Sequence, residues 1–179
     1  NTDAYERVRI QWGTSLCFPA SGMSCHVSAC PNHWTQRTTP LNARGSVASL
    51  GAFGYELDLT KLTDEEKETV KEQIRQYKQT EALVMRGDLY RLYSPFESNL
   101  FCEMLVSKDK SRAYAVGMCL RGDPYETRTV CLKGLDENRT YTVRELGLSA
   151  SGTALMQIGL PLSAMGDYDA WQWHIEEVQ

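Results

Sequence analysis

The sequence predicts a mixed fold: a segment of alternating helix and strand, of the (β/α)8-barrel kind, followed by an antiparallel β-sandwich. Three observations predict it. Helix and strand signals alternate between Asn1 and Phe18. A capped amphipathic helix is spelled out at Thr63–Gln79. From about Gly87 the apolar residues switch to period two and keep it. The change of pattern places a boundary near residues 80–88, dividing the chain into units of 1–84 and 85–179.

Asn1 to Trp12 reads as a helix, because Tyr5, Val8, Arg9 and Trp12 fall at i, i+3, i+4 and i+7. Gly13 is its expected stop. Thr14 to Phe18 then reads as a short strand that ends at Pro19. A long polar loop follows, holding Cys25, His26, Cys30, Asn32 and His33. Two of the three histidines and three of the six cysteines lie between Gly13 and Arg37. An apolar strand feeding a loop rich in reactive side chains is how α/β barrels wall an active site, so any chemistry is expected here.

Leu41 to Gly51, with its small residues, reads as a short helix packed closely on a neighbour. In the next helix Thr63 is the N-cap and Glu66 completes a capping box. Asp64, Glu65 and Glu66 suit the positive end of the helix dipole. Val70, Ile74 and Tyr77 form a narrow apolar stripe, and the charged remainder is a solvated face. Seven strands are expected beyond it: Leu89–Tyr93, Phe101–Val106, Ala113–Leu120, Thr127–Leu132, Thr140–Leu146, Ala154–Ile158 and Trp171–Ile175. Turn residues punctuate them at Lys108-Asp109-Lys110, Gly122-Asp123-Pro124, Asp136-Glu137-Asn138 and Gly166-Asp167.

Composition narrows the function classes. A net charge of −4 argues against nucleic acid or an anionic membrane as the main partner. No apolar run approaches the roughly 20 residues of a membrane-spanning helix. The first residues are charged and amphipathic, unlike a signal peptide. A start at Asn1 rather than Met fits a processed product or a piece of something longer. The cysteine spacing is too irregular for a disulfide-stapled scaffold, and Cys102, Cys119 and Cys131 lie in apolar runs, so a reduced, cytoplasmic protein is expected. Asn138-Arg139-Thr140 matches a glycosylation acceptor and Arg121-Gly122-Asp123 an adhesion tripeptide; neither carries weight.

Long blocks carry a resemblance. NTDAYERVRIQWGTSLCFPASGMSCHVSACPNH, TPLNARGSVASLGAFGYELDLTKLTDEEKETVKEQIRQYK and GDLYRLYSPFE resemble the closing segment of bacterial α-galactosidases of glycoside hydrolase family 36. The likeness is near-continuous from Asn1 to about Val106. It persists through SKDKSRAYAV, LKGLDENRTYTV and GDYDAWQWHIEE. It implies the last helix–strand–helix of a (β/α)8 barrel, with Thr14–Phe18 as the eighth strand, and then a C-terminal antiparallel domain. It also implies retaining hydrolysis of terminal α-1,6-linked galactose, as in melibiose and raffinose, by two carboxylates and without a metal or other cofactor.

In the family the nucleophile is an Asp in a Lys-Trp-Asp type motif on an earlier strand, and no Lys-Trp pair occurs in this chain. The acid/base is an Asp in a Ser-Asp pair immediately before the Asn-Thr-Asp-Ala block, with which this chain starts. Both catalytic residues are therefore expected upstream of Asn1, and the isolated chain is expected to be inactive. Expected partners are galactose-containing oligosaccharides, the upstream part of the same polypeptide and, by self-association, further copies in a homo-oligomer. The alternative is a stand-alone carbohydrate-binding or interaction β-sandwich module.

Within the chain, Ser24, His26 and Asn32 are the candidates for the substrate rim, contacting sugar hydroxyls or packing the loop. Asp3 is a possible substitute acid or a helix cap. Cys25, His26, Cys30 and His33 have zinc-ligand chemistry, but they bunch in one loop without a second cluster. Cys30 with His33 has the types of a nucleophilic pair. Glu56 and Asp58 alternate as a carboxylate pair would, and Trp171 and Trp173 share a strand face that could stack on sugar or fill a core.

Overall fold

The computed structural model describes residues 2–122, 128–163 and 166–178. The first helix, α1, spans Ala4–Thr14, with the Asp3 carboxylate accepting the Tyr5 N–H at its N-cap. It runs through Gly13 and closes in turns, where Cys17 and Phe18 donate their N–H groups to Thr14 O at 3.0 and 2.9 Å. The strand expected at Thr14–Phe18 is therefore a correction. Three apolar residues before a proline satisfy their backbone locally, and Leu16 and Phe18 stay 66% and 62% exposed.

The first strand is instead β1 (Ser24–Ser28). A short helix, α2 (Leu41–Ala48), carries the chain to β2 (Ala52–Glu56), which pairs parallel with β1 from Ser24↔Ala52 to Ser28↔Glu56. The close packing expected of α2 is present: a Cβ on Gly45 would lie 2.3 Å from the Gln73 amide nitrogen. Helix α3 spans Asp64–Arg86, with both bonds of the Thr63–Glu66 capping box formed. It outruns the expected end by two turns, because Thr80, Leu83 and Val84 extend the buried stripe.

The rest is mainly antiparallel sheet. Strands β3 (Asp88–Tyr93), β4 (Leu100–Val106), β5 (Arg112–Cys119), β6 (Arg128–Val130), β7 (Thr140–Val143) and β8 (Leu148–Ser151) precede a short helix, α4 (Gly152–Gln157). Strands β9 (Leu160–Leu162) and β10 (Ala170–Glu177) complete the chain. Six strands form one sheet in the order β3-β4-β5-β10-β7-β8, and β6 pairs with β9 separately.

Two further expectations are corrected. Ala154–Ile158 is helical because Ser151 caps it, its Oγ accepting the Ala154 N–H, and Ala, Leu, Met and Gln favour a helix. Thr140–Leu146 ends as a strand at Val143 and turns before β8. The turn expected at Gly122-Asp123-Pro124 and the start of the Thr127–Leu132 strand fall largely outside the described residues.

The six-stranded sheet is buried on both faces. Phe101, Leu105, Tyr114, Val116 and Met118 share a core with Val8, Val27, Val47 and Val84 from the helical segment. The alternate residues Leu100, Met104, Ala115, Trp173 and Ile175 pack with Val130 of β6, Leu155 of α4 and Leu160 of β9. The second layer is thus smaller than the first, a sandwich of unequal halves. Trp171 lies across Gly117 on the facing strand, where a Cβ would sit 1.9 Å from the indole.

Candidate functional site at the end of the parallel strand pair

Alternation along β1 divides its side chains. Cys25 and Val27 are fully buried against the helices, and Phe53 and Tyr55 of β2, partly buried, pack on the same side. Ser24, His26 and Ser28 therefore face the other way, together with their register partners Ala52, Gly54 and Glu56. On that face His26 is bracketed. Its Nε2 lies 3.2 Å from Ser24 Oγ, and its Nδ1 lies 3.8 Å from Glu56. Gly54 leaves the ring its place, since a Cβ there would come within 3.3 Å of His26.

The chain then leaves β1 through a loop pinned by buried polar side chains. Arg44 of α2 donates to Ser28 O at 2.7 Å and to Thr39 O at 3.2 Å, stapling the two ends of the loop. Burial lowers the pKa of its guanidinium, whose charge the two carbonyls serve. Within the loop the Asn32 amide oxygen accepts the N–H groups of Trp34 and Thr35, and Asn32 Nδ2 donates to Thr2 Oγ1 at 3.2 Å. Ser28 Oγ donates to Thr2 O at 2.9 Å. The Cys30–Pro31 peptide is cis.

Asp3 sits at the centre of this knot, 2% exposed. Besides capping α1 it accepts from Thr35 Oγ1 at 2.8 Å and pairs with Arg37, whose guanidinium also lies over the Tyr5 ring. Of the three rim candidates, Ser24 and His26 lie together on the open face of β1, while Asn32 is buried with both ends of its amide engaged. Trp34, next to it, is 76% exposed.

The other constellations come apart. Cys25 points into the core and His26 away from it, and the described residues contain no group of three metal-ligating side chains. Desolvation raises the Cys25 thiol pKa in spite of the nearby Arg7. The Cys30 thiol donates to Thr39 O at 3.6 Å, and the His33 ring packs against Trp34. Asp58 lies past β2 and accepts from Thr60 N and Oγ1, which lowers its carboxyl pKa. Trp171 and Trp173 pack against each other at 5.9 Å in the sandwich core. Sequence reasoning missed Thr2, Ser28, Thr35, Arg37 and Arg44, since polar side chains in a loop carry no periodic signal. The only trace was the density of hydrogen-bonding residues around Asn32.

Comparison with known proteins places this arrangement. A family profile described as Melibiase matches residues 1–87, and one described as the glycosyl hydrolase family 36 C-terminal domain matches residues 101–175. Alpha-galactosidase AgaA of Geobacillus stearothermophilus is 44% identical over all of this chain and 25% of its own length. The bifunctional alpha-galactosidase/sucrose kinase AgaSK of Mediterraneibacter gnavus is 41% identical over 100% of this chain and 19% of its own. The AgaA crystal structure in complex with raffinose superposes with a TM-score of 0.96 at 43% identity, covering 99% of this chain and 25% of that one. The chain spans about a quarter of the length of AgaA. Matched along almost its whole length by these two profiles and by α-galactosidases of the same fold, the chain belongs to glycoside hydrolase family 36, as a C-terminal part of such a protein.

Proposed function

We propose that the chain is the C-terminal part of a retaining α-galactosidase that releases terminal galactose from raffinose-type oligosaccharides. The observation that carries this reading is the parallel β1–α2–β2 unit, with helices on one face and a polar face of Ser24, His26, Ser28 and Glu56 on the other. In a (β/α)8 barrel that second face is the interior, and chemistry gathers where the parallel strands end. The strands β1 and β2 are then consecutive barrel strands, with residues 1–84 the barrel remnant and 85–179 the C-terminal domain. The relatives' names, and complexes of relatives with raffinose and stachyose, support the substrate class.

In such a reaction one carboxylate attacks C1 as the other protonates the departing glycosidic oxygen. The second then takes a proton from water as the water displaces the first, and configuration is retained. We assign neither role to a residue of this chain. Asp3 is committed to its helix cap, Thr35 and Arg37, and Asp58 to Thr60. Of the three rim candidates, His26 faces the inner side at mid-strand, and Asn32 braces the loop at the C-terminal end of β1, where a barrel substrate sits. Ser24 opens β1 at the other end and contacts the His26 ring.

The test is hydrolysis of a chromogenic α-galactoside by the 179-residue chain and by the full-length protein. Turnover by the full-length protein alone is the expected result. Turnover by the isolated chain, abolished by Asp3→Asn, would refute the assignment of both carboxylates upstream.

A further inference from the structure

A cleft of about 320 Å³ lies where the start of α2 meets the approach to β10. The buried Ala43 and Leu162 form its floor, and the half-buried Tyr168 adds an aromatic ring. The exposed Asn42, Ser163 and Asp169 line it with an amide, a hydroxyl and a carboxylate. The carboxylate is fixed in place, since the Gly166 N–H donates to Asp169 Oδ2 at 2.6 Å. Asn42 Nδ2 donates to Ala170 O at 3.4 Å and so joins the α2 side of the cleft to the β10 side. Among the described residues no basic side chain lines it.

This lining suits a neutral, polyhydroxylated ligand. Its volume is near the lower end of the roughly 300–1,000 Å³ of ligand clefts, which fits one or two sugar rings. A pyranose offers a C–H face to Tyr168, Ala43 and Leu162, and hydroxyls at its edge. A carboxylate accepts from two neighbouring hydroxyls, while the amide and the hydroxyl each donate and accept. An anionic ligand would meet the Asp169 charge with no cation in the lining to offset it. The cleft also lies at a telling end of the fold. Ser28, which ends β1, bonds to Thr2 before α1, and Tyr5 in the first turn of α1 packs on the Tyr168 ring. The cleft is thus at the C-terminal end of the parallel strands.

We propose that Asn42, Ser163, Tyr168 and Asp169 form a sugar-binding site that takes one or two units of a galactose-containing oligosaccharide. The sugar class follows from the cleft's own side chains; the choice of galactosides rests on the α-galactosidase reading. The test is calorimetric titration of the full-length protein with stachyose, with a galactose-configured iminosugar kept saturating so that hydrolysis does not consume the probe. One stachyose binds saturably per chain. In Asp169→Asn, whose amide oxygen can still accept from Gly166, the affinity falls by about 10-fold, and in Asn42→Ala by about 5-fold.

No saturable heat from the wild type, or wild-type affinity in either variant, would overturn the site. A full-length protein that neither binds the iminosugar nor cleaves stachyose in its absence would overturn the α-galactosidase reading instead, and the stachyose titration would still judge the cleft by the same two variants.

Discussion

Glu103 gives the sharpest energetic test of the fold. It lies in the middle of β4, fully buried on the face that meets the helices. Ser15 Oγ donates to its Oε1 at 3.4 Å, while no hydrogen bond reaches Oε2. Arg91 offsets part of the desolvation, yet its guanidinium is spent on the carbonyl and hydroxyl of Ser15. Burial wins, and the carboxyl is pushed up from 4.5 to about 7. At 1.36 kcal/mol per unit, ionising Glu103 in the folded chain costs about 3 kcal/mol.

The folded state binds the proton more tightly. Stability from this group is therefore complete below about pH 4.5, falls between 4.5 and 7, and levels off above. Glu103→Gln removes the penalty above pH 7 but leaves an amide donor without an acceptor, at a cost of about 1 kcal/mol. The variant should be more stable than wild type by about 2 kcal/mol at pH 8 and less stable by about 1 kcal/mol at pH 4.5. Urea denaturation across this range reads the crossing directly. A difference of the same sign and size at both ends would refute the burial argument.

Three further substitutions probe other joints. Gly117→Ala drives a methyl group into the Trp171 indole and should cost about 2 kcal/mol or more, read as a Tm lowered by at least about 4 °C. Arg44→Ala removes both carbonyl staples of the β1 loop and should cost about 2–4 kcal/mol, and proteolysis of the loop between residues 29 and 39 should quicken with it; an unchanged urea midpoint would show that the staple is idle. Thr63→Ala opens the capping box of α3 and should cost about 1 kcal/mol, with exchange protection lost from the first turn alone.

What the sequence made legible follows physical lines. The capping box of α3 was readable because it is local: Thr63 and Glu66 satisfy each other whatever surrounds them. Strands β3, β4, β5 and β10 were readable from their alternation. In β5 it survives burial on both faces, because Tyr114, Val116 and Met118 lie on one side and Ala113, Ala115 and Gly117 on the other. The short and mostly exposed β8 (Leu148–Ser151) and the three-residue β9 (Leu160–Leu162) gave no such signal and were missed. β1 was missed for the opposite reason. Its segment, Ser-Cys-His-Val-Ser, alternates correctly, yet its polar and reactive residues suggested a loop, while the more apolar Leu16-Cys17-Phe18 suggested the strand. Parallel pairing with β2 decided the matter, and that partner lies 28 residues further on. At the site, the density of functional groups marked the right stretch. The division of labour within it depends on Arg37 and Arg44 reaching across the fold, which no spacing rule contains.

The antiparallel sheet bears on the site through the helices. Tyr114 OH meets Ser49 Oγ at 2.8 Å, and Gln172 Nε2 meets Ser46 Oγ at 2.9 Å, so β5 and β10 grip the end of α2 through buried polar contacts as well as through the shared core. Tyr168, held with φ of +63°, packs edge-on against Tyr5 in the first turn of α1. A bulky residue in the left-handed region is costly unless its surroundings demand it. Here Tyr5 meets that ring on one side and the Arg37 guanidinium on another, so α1, the β1 loop and the β10 approach are braced at one corner. Tyr168→Gly, which accepts the left-handed backbone but removes the ring, should therefore loosen this corner by about 1 kcal/mol, read as a lower urea midpoint. An unchanged midpoint would show that the Tyr5–Tyr168 contact bears no weight in the fold.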